Sequence, residues 1–320
     1  MSCYHPLVGL YRGLNENGKR DLRIIHSDDP FKDIEYNPGS VLIPCGKCIG
    51  CRLDYSRRWA DRMMLELESA GKGIFVTLTY DCRNVVDLEG EKVCTCVYPD
   101  IDVRNGEKCP LTSICASECR SSGSLFKSHV QTFMKDLREE LRTKRNTFIR
   151  FFAVGEYGSL ENSHRPHYHL ILFGLGLDDL PDKKPVGFNE LRQEVYSSDL
   201  ISRHWPYGFI SVGDVSWRSC AYVSRYVTKK ALDPMSDDEL DQLGKNHLFN
   251  LMSRRPGIGR KYLDEHPDCL DYSSIYLSTP DGSKRVNIPK YFVKQLELTD
   301  PEKYDTLVAQ RTLYAQDSII

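Results

Sequence analysis

Arg165-Pro166-His167-Tyr168-His169-Leu170-Ile171-Leu172-Phe173-Gly174 is the stretch whose reading decides both fold and chemistry. Aromatic and branched residues fill it, Pro166 opens it and Gly174 closes it, which is the pattern of a short β-strand. Side chains alternate along a strand, so His167 and His169 share one face and Tyr168 packs on the other. Two imidazoles side by side on one rigid strand are half of a metal site. The plainer reading is that both rings are only packed or hydrogen-bonded, and the stretch alone does not choose between them.

Working outward, residues 148–158 read as a second strand, and the polar residues 159–165 return the chain into the histidine strand as an antiparallel hairpin. Glu156 then sits near the histidine pair, while Glu161 and His164 read as loop residues. A hard divalent ion such as Mg²⁺ or Mn²⁺ prefers oxygen, so a carboxylate should join the two imidazoles, and Glu156 is the choice. Such a trio leaves coordination positions open for phosphate oxygens. Zinc accepts the same ligands, but a closed structural zinc site needs a fourth.

Strands are also expected at residues 74–81 and 209–215. Apolar periodicity predicts helices over 53–70, 125–143, 187–204, 218–230 and 236–253, and a helix at the end of the chain. Residues 254–260 form a basic turn, and 274–277 with 285–288 suggest a hairpin. Residues 1–50 read as turn-rich and irregular. Residues 82–124 break the pattern, with Cys94-Thr95-Cys96, Cys109, Cys115 and Cys119. They look like an insertion, one that a second metal ion would staple.

The 320 residues are enough for one large or two ordinary domains, and 40% hydrophobic with 28% charged residues describes a globular chain. A formal net charge of −2 argues against coating nucleic acid by bulk charge, but it leaves room for a local basic groove. Basic clusters occur at Arg52–Arg62, Arg142–Arg150, Lys229-Lys230 and Arg254–Lys261; solvated faces are the ordinary reading of any one of them. No apolar run approaches the roughly 20 residues of a membrane helix, and the first residues lack the apolar core of a secretory signal. A cytoplasmic protein is expected, and its twelve cysteines should stay reduced. Cys45-Gly46-Lys47-Cys48-Ile49-Gly50-Cys51 then reads as a metal-binding turn, with Cys3 as the fourth ligand and His5 behind it. Zn²⁺ is the first choice and an iron–sulfur cluster the second.

Tyr222 and Tyr226 lie four residues apart on the helix expected over 218–230, hence on one face and about 6 Å apart. A phenol with a pKa near 10 is a poor nucleophile. It attacks phosphorus when a metal polarises the phosphate and a neighbour takes the proton. That requirement ties this helix to the histidine strand. Lys229 and Lys230 follow one turn on, in reach of the same phosphate, although lysines at a helix C-terminus also simply suit its dipole.

The order of three motifs resembles that of the HUH endonucleases. These are Phe75-Val76-Thr77-Leu78-Thr79-Tyr80, then the histidine strand, then Tyr222-Val223-Ser224-Arg225-Tyr226-Val227-Thr228-Lys229-Lys230. The paired tyrosines are similar to the two-tyrosine branch found in icosahedral single-stranded DNA phages. The stretch 45–52 and Met252-Ser253-Arg254-Arg255-Pro256-Gly257-Ile258-Gly259 further resemble the replication initiators of gokushoviruses. Tyr168 is a departure, because the residue between the histidines is usually aliphatic.

The resemblance implies an α+β fold, a central antiparallel sheet flanked by helices (the RRM-like HUH core), with the histidine strand central and the tyrosine helix across it. The expected division is a Cys-containing segment with a basic helix (1–70), the endonuclease core with its insertion (71–232), and a mixed C-terminal extension (233–320). It implies a rolling-circle initiator that nicks single-stranded or supercoiled origin DNA in the host bacterium's cytoplasm. One tyrosine forms a 5′-phosphotyrosyl link, the other later releases and closes the circle, and Mg²⁺ or Mn²⁺ sits on His167, His169 and Glu156. Arg254, Arg255 and Arg260 would hold DNA, and host helicase and polymerase would be partners. The alternatives are a plasmid or transposon enzyme of the same type, and a non-enzymatic zinc-dependent DNA-binding protein.

Overall fold

The computed structural model describes residues 3–14, 20–25, 40–81, 84, 86, 89–90, 123–158, 165–189, 192–229, 237–279 and 282–317. The cysteine-rich insertion, the 159–164 loop and Lys230 lie outside the described residues. The chain divides into two compact units, Met1–Arg57 and Arg58–Ile320.

The first unit corrects the reading of residues 1–50 as irregular. Strands β1 (Leu7–Leu14), β2 (Arg20–Ile25) and β3 (Ser40–Ile43) form an antiparallel sheet in the order β2-β1-β3. Glycines inside β1 hide its alternation. Gly9 is one of them, and a Cβ there would meet the Ile43 side chain at 2.6 Å. Helix α1 (Ile49–Ala70) starts inside the cysteine stretch, four residues earlier than its apolar stripe indicates.

The second unit is built on a seven-stranded sheet. Its strands are β4 (Gly73–Tyr80), β5 (Arg150–Tyr157), β6 (Pro166–Phe173), β7 (Lys184–Phe188), β8 (Glu194–Ser197), β9 (Gly208–Asp214) and β10 (Phe249–Met252). The order is β10-β5-β6-β4-β9-β8-β7, and every neighbouring pair is antiparallel. The expected α+β class, a central antiparallel sheet flanked by helices, is the one observed.

Register makes the two faces chemically different. On one face Tyr168, Leu170 and Leu172 of β6 pack with Ile74, Val76 and Leu78 of β4. Helix α2 (Lys127–Arg145) covers them with Val130, Phe133, Leu137 and Leu141. Each such side chain contributes about 1.5–3 kcal/mol by leaving water. Pairing sets three rows on the other face: Glu156–His167–Thr79–Phe209, Val154–His169–Thr77–Ser211 and Phe152–Ile171–Phe75–Gly213. The third row is mostly apolar, and Phe152 and Ile171 are buried with Met63 and Leu65 of α1 and with Cys220 and Val223 of helix α4 (Trp217–Lys229). The first two rows carry the polar groups.

Two expected helices are replaced by strands. Residues 187–204 hold the end of β7, β8 and only a short helix α3 (Asp199–Ser202). Val195 and Tyr196 favour a pleated surface, and the turn between Asn189 and Gln193 folds them back on β7. Residues 236–253 start as helix α5 (Asp237–Gln242), but Gly244 at φ 62° ends it, and residues 249–252 become the edge strand β10 beside β5. The basic turn and the hairpin of β11 (Ser274–Thr279) and β12 (Gly282–Asn287) stand as expected. Helices α6 (Arg260–Glu265), α7 (Lys290–Thr299) and α8 (Pro301–Asp317) complete the chain. Among the described residues no helix is long and apolar enough to cross a membrane.

Candidate functional site

Pairing of β5 with β6 sets Glu156 directly opposite His167, and His169 lies one row along on the same face. Glu156 Oε1 is 2.9 Å from Nε2 of His167 and 2.9 Å from Nε2 of His169. The carboxylate is 2% exposed, so it depends on these partners. Burial pushes the Glu156 carboxyl up, but the two imidazoles outweigh it and hold the group below the ordinary carboxylate range.

The outer nitrogens of both rings are anchored. His167 Nδ1 lies 3.0 Å from the Arg165 carbonyl oxygen, and His169 Nδ1 lies 3.1 Å from Thr77 Oγ1. A carbonyl only accepts, so Nδ1 of His167 carries the proton and donates it. A neutral ring then turns a bare Nε2 toward an ionised carboxylate oxygen. Such lone pairs converge only around a shared cation, either a metal ion or a proton on one of the rings. The spacing fits a metal: an octahedral ion with bonds of about 2.1 Å separates adjacent ligand atoms by about 3.0 Å.

Tyr222 stands over this trio. Its ring meets His169 edge-on with centroids 5.1 Å apart, and Phe75 in the same way at 6.2 Å. Cys220 and Val223 anchor α4 to the sheet and so present Tyr222 to the polar rows. Tyr226 and Lys229 lie further along the same helix, whose described span ends at Lys229.

Tyr168 does more than pack. It is fully buried, its hydroxyl lies 2.7 Å from the Tyr80 hydroxyl, and it accepts the Phe126 N–H at 2.8 Å. Tyr80 in turn reaches His129 Nδ1 at 2.6 Å. This network ties the start of α2 to the underside of the histidine strand, which explains an aromatic hydroxyl between the histidines.

Several arginines of the basic clusters serve the structure. Arg150 pairs with buried Glu66, whose other oxygen accepts the Gly259 N–H. Arg150 and Arg62 also donate to the carbonyls of Pro256 and Ile258, at 2.8 and 2.6 Å. The 252–259 motif is thus a clip holding its turn to α1 and β5. Arg138, read as exposed on α2, is half-buried and donates to Ile149 O and Ser253 Oγ. Arg254 and Arg255 are exposed in the turn, while Arg260 is engaged by Asp264 and Gln295. The turn follows Met252, which pairs with Phe152. That is four residues from Glu156, about 13 Å along the strand, so the turn leaves the sheet away from the metal trio.

Sequence reading missed Thr77 and the β7–β8 turn. A cavity of about 300 Å³ opens beside the trio, with Phe75, Thr77, Phe188, Asn189, Gln193, Asp214 and Tyr222 among its lining. The signal for Thr77 was its place on the same face of β4 as Phe75; the turn was hidden by the helical reading of 187–204.

In the first unit, Cys3 joins Cys45, Cys48 and Cys51, their sulfurs all within 4.8 Å of one another. The Cys3–Cys48 and Cys45–Cys51 sulfurs are 3.8 and 3.9 Å apart. A disulfide spans about 2.05 Å, whereas a tetrahedral ion with 2.3 Å bonds separates its sulfurs by about 3.8 Å. Backbone N–H groups of Cys51 and Tyr4 aim at the Cys48 sulfur and lower the thiol to about 6, favouring the thiolate a metal requires. His5 is exposed and is not among the four grouped ligands.

A family model for replication-associated proteins of the ORF2 type matches residues 73–231. The chain is 31% identical to the replication-associated protein ORF2 of Spiroplasma virus 4, over 100% of this chain and 90% of that one. It is 29% identical to the replication-associated protein VP4 of Bdellovibrio phage phiMH2K, over 95% and 80%. It is 25% identical to the replication-associated protein ORF4 of Chlamydia phage 1, over 83% and 57%. No solved structure matches it.

Proposed function

The chain belongs to the ORF2 family of phage replication-associated proteins, and from that membership we propose that it starts phage DNA replication as a metal-dependent, site-specific nickase and strand-rejoining enzyme. The observation that carries the reading is the convergence of Glu156 Oε1 with both histidine Nε2 atoms beneath the ring of Tyr222.

In this proposal His167, His169 and Glu156 hold Mg²⁺ or Mn²⁺. A bound ion of that kind polarises the scissile phosphate and offsets charge developing on it. The Arg165 carbonyl and Thr77 keep the Nε2 atoms facing inward. The Tyr222 or Tyr226 phenol oxygen attacks phosphorus and the 3′ oxygen leaves, giving a 5′-phosphotyrosyl link and a free 3′-OH. Helical spacing lets the second tyrosine serve the same centre in the reverse step, in which the released 3′-OH attacks the link and the circle closes. Lys229 and Lys230 are assigned the charge on the reacting phosphate, and Arg254 and Arg255 the DNA backbone. Single-stranded origin DNA is the substrate, and host helicase and polymerase unwind and extend it. The four-cysteine cluster is assigned a single Zn²⁺, because sulfurs 3.8–3.9 Å apart leave no room for an iron–sulfur core.

Incubation of the protein with labelled single-stranded origin DNA and Mn²⁺, followed by denaturing electrophoresis, tests the reading. A covalent protein–DNA band is expected, lost in the Tyr222→Phe/Tyr226→Phe double variant and reduced in each single one. No such band with any divalent metal refutes it and leaves a non-enzymatic DNA-binding role.

A further inference from the structure

The cavity beside the metal trio has a lining that matches neither a phosphate nor a metal ion. Phe75 and Phe188 give it aromatic walls, Asn189 and Gln193 supply carboxamides from the β7–β8 turn, and Asp214 supplies a carboxylate. Its lining includes no lysine or arginine, and Asp214 repels an anion. Its volume of about 300 Å³ sits at the small end of ligand pockets, enough for one planar group and too little for a folded chain. Tyr222 forms part of its wall, so whatever occupies it lies next to the reacting phosphate.

The turn that carries the amides is itself ordered. Gln193 N–H donates to Asn189 Oδ1 at 2.9 Å, and Asn189 N–H donates back to the Gln193 carbonyl at 2.9 Å. Phe188, adjoining this turn, is 74% exposed, and Phe209, on the site face of β9, is 39% exposed. Large exposed aromatic rings on a sheet face are costly unless something stacks on them, and unpaired bases do so readily.

We propose that this cavity is a nucleobase subsite, which takes one unstacked base next to the scissile phosphate and prefers bases with an exocyclic amino group (adenine, cytosine or guanine) to thymine. The preference follows from Asp214, an acceptor, with the amide oxygens of Asn189 and Gln193 able to join it. Thymine offers carbonyls to the same acceptors. The placement next to the cleaved bond rests on the nickase reading; the base preference does not.

The test uses the full-length protein with Mn²⁺ and fluorescein-labelled 12-mers of dA, dC and dT, with affinity read by anisotropy at one salt concentration. Wild type is expected to bind dA and dC at least fivefold more tightly than dT. Asp214→Asn and Gln193→Ala should narrow that ratio to under twofold while leaving dT binding unchanged. Phe188→Ala should weaken all three by about fivefold or more, as loss of one stacking contact does. All three positions are turn or surface sites, and circular dichroism checks each fold. Equal wild-type affinity for the three oligonucleotides, or a ratio unmoved by Asp214→Asn and Gln193→Ala, overturns the proposal. A normal base preference in a protein that forms no covalent DNA adduct refutes the nickase instead and keeps the subsite as a DNA-reading pocket.

Discussion

Thr77→Val probes the metal trio without touching a ligand. Thr77 Oγ1 lies 3.1 Å from Nδ1 of His169, and it is the side chain that holds that ring's lone pair toward Glu156. When Nε2 binds a metal, Nδ1 carries the proton and Thr77 accepts it, so the hydrogen bond strengthens as the ring donates charge. A neutral hydrogen bond is worth about 0.5–1.5 kcal/mol net and a charge-assisted one about 1.5–3. Loss of about 1.5 kcal/mol is about tenfold in metal affinity, within the 10- to 100-fold range for such outer partners. Valine keeps the shape and suits a strand, so the fold should change by less than about 1 kcal/mol. The assay is cleavage of labelled single-stranded DNA against Mn²⁺ concentration, alongside calorimetric Mn²⁺ binding without DNA. Both midpoints should rise about tenfold, with the plateau rate close to wild type. Thr79→Val, one row along, is the control, because the Arg165 carbonyl orients His167 from the backbone. Midpoints within twofold of wild type, or an equal shift in the control, would refute the assigned role of Thr77.

Glu156→Gln should remove the charge that the two imidazoles share and lower Mn²⁺ affinity by at least 100-fold; calorimetric titration that finds unchanged affinity refutes the trio as the metal site. Cys48→Ser should reduce bound zinc, measured by elemental analysis, from one per chain to well below half, and equal zinc in both proteins removes the cysteine assignment. Tyr168→Phe strips a partner from the Phe126 N–H and from the buried Tyr80 hydroxyl, for a cost of about 1–3 kcal/mol; thermal melting that shows no loss contradicts the network. Lys245 is buried and its pKa is pushed down from 10.5 to about 8. The unfolded chain therefore binds the extra proton between those values, so stability should rise with pH across that window. Lys245→Met should flatten the rise in chemical denaturation curves taken from pH 7.5 to 10.5.

Much of the site was legible before any tertiary contact was known. Alternation along 166–173 puts His167 and His169 on one face whatever lies around them, and a short return loop brings Glu156 beside them. Helical spacing sets Tyr222 and Tyr226 on one side of α4. These are local properties, determined by backbone geometry over a few residues. The helical readings of 187–204 and 236–253 failed for the converse reason. Their apolar residues are too sparse to favour one period, and pairing with β9 and β5 outweighed the local preference. Residues 254–260 read correctly as a basic turn, but charge alone could not reveal that Arg150 and Arg62 grip its carbonyls.

The sequence by itself determined the ligand pair, the carboxylate that joins it, the tyrosine helix and the α+β class, because each follows from a period of 2 or 3.6 and a short connection. Only the tertiary structure decided which groups support and surround them. Thr77 reaches His169 across a strand pair that spans 92 residues of chain, Tyr168 reaches Tyr80 across 88, and Cys3 closes on Cys48 across 45. Contacts over such separations depend on strand order and helix docking, which are set by the burial of whole faces and not by any local run of residues.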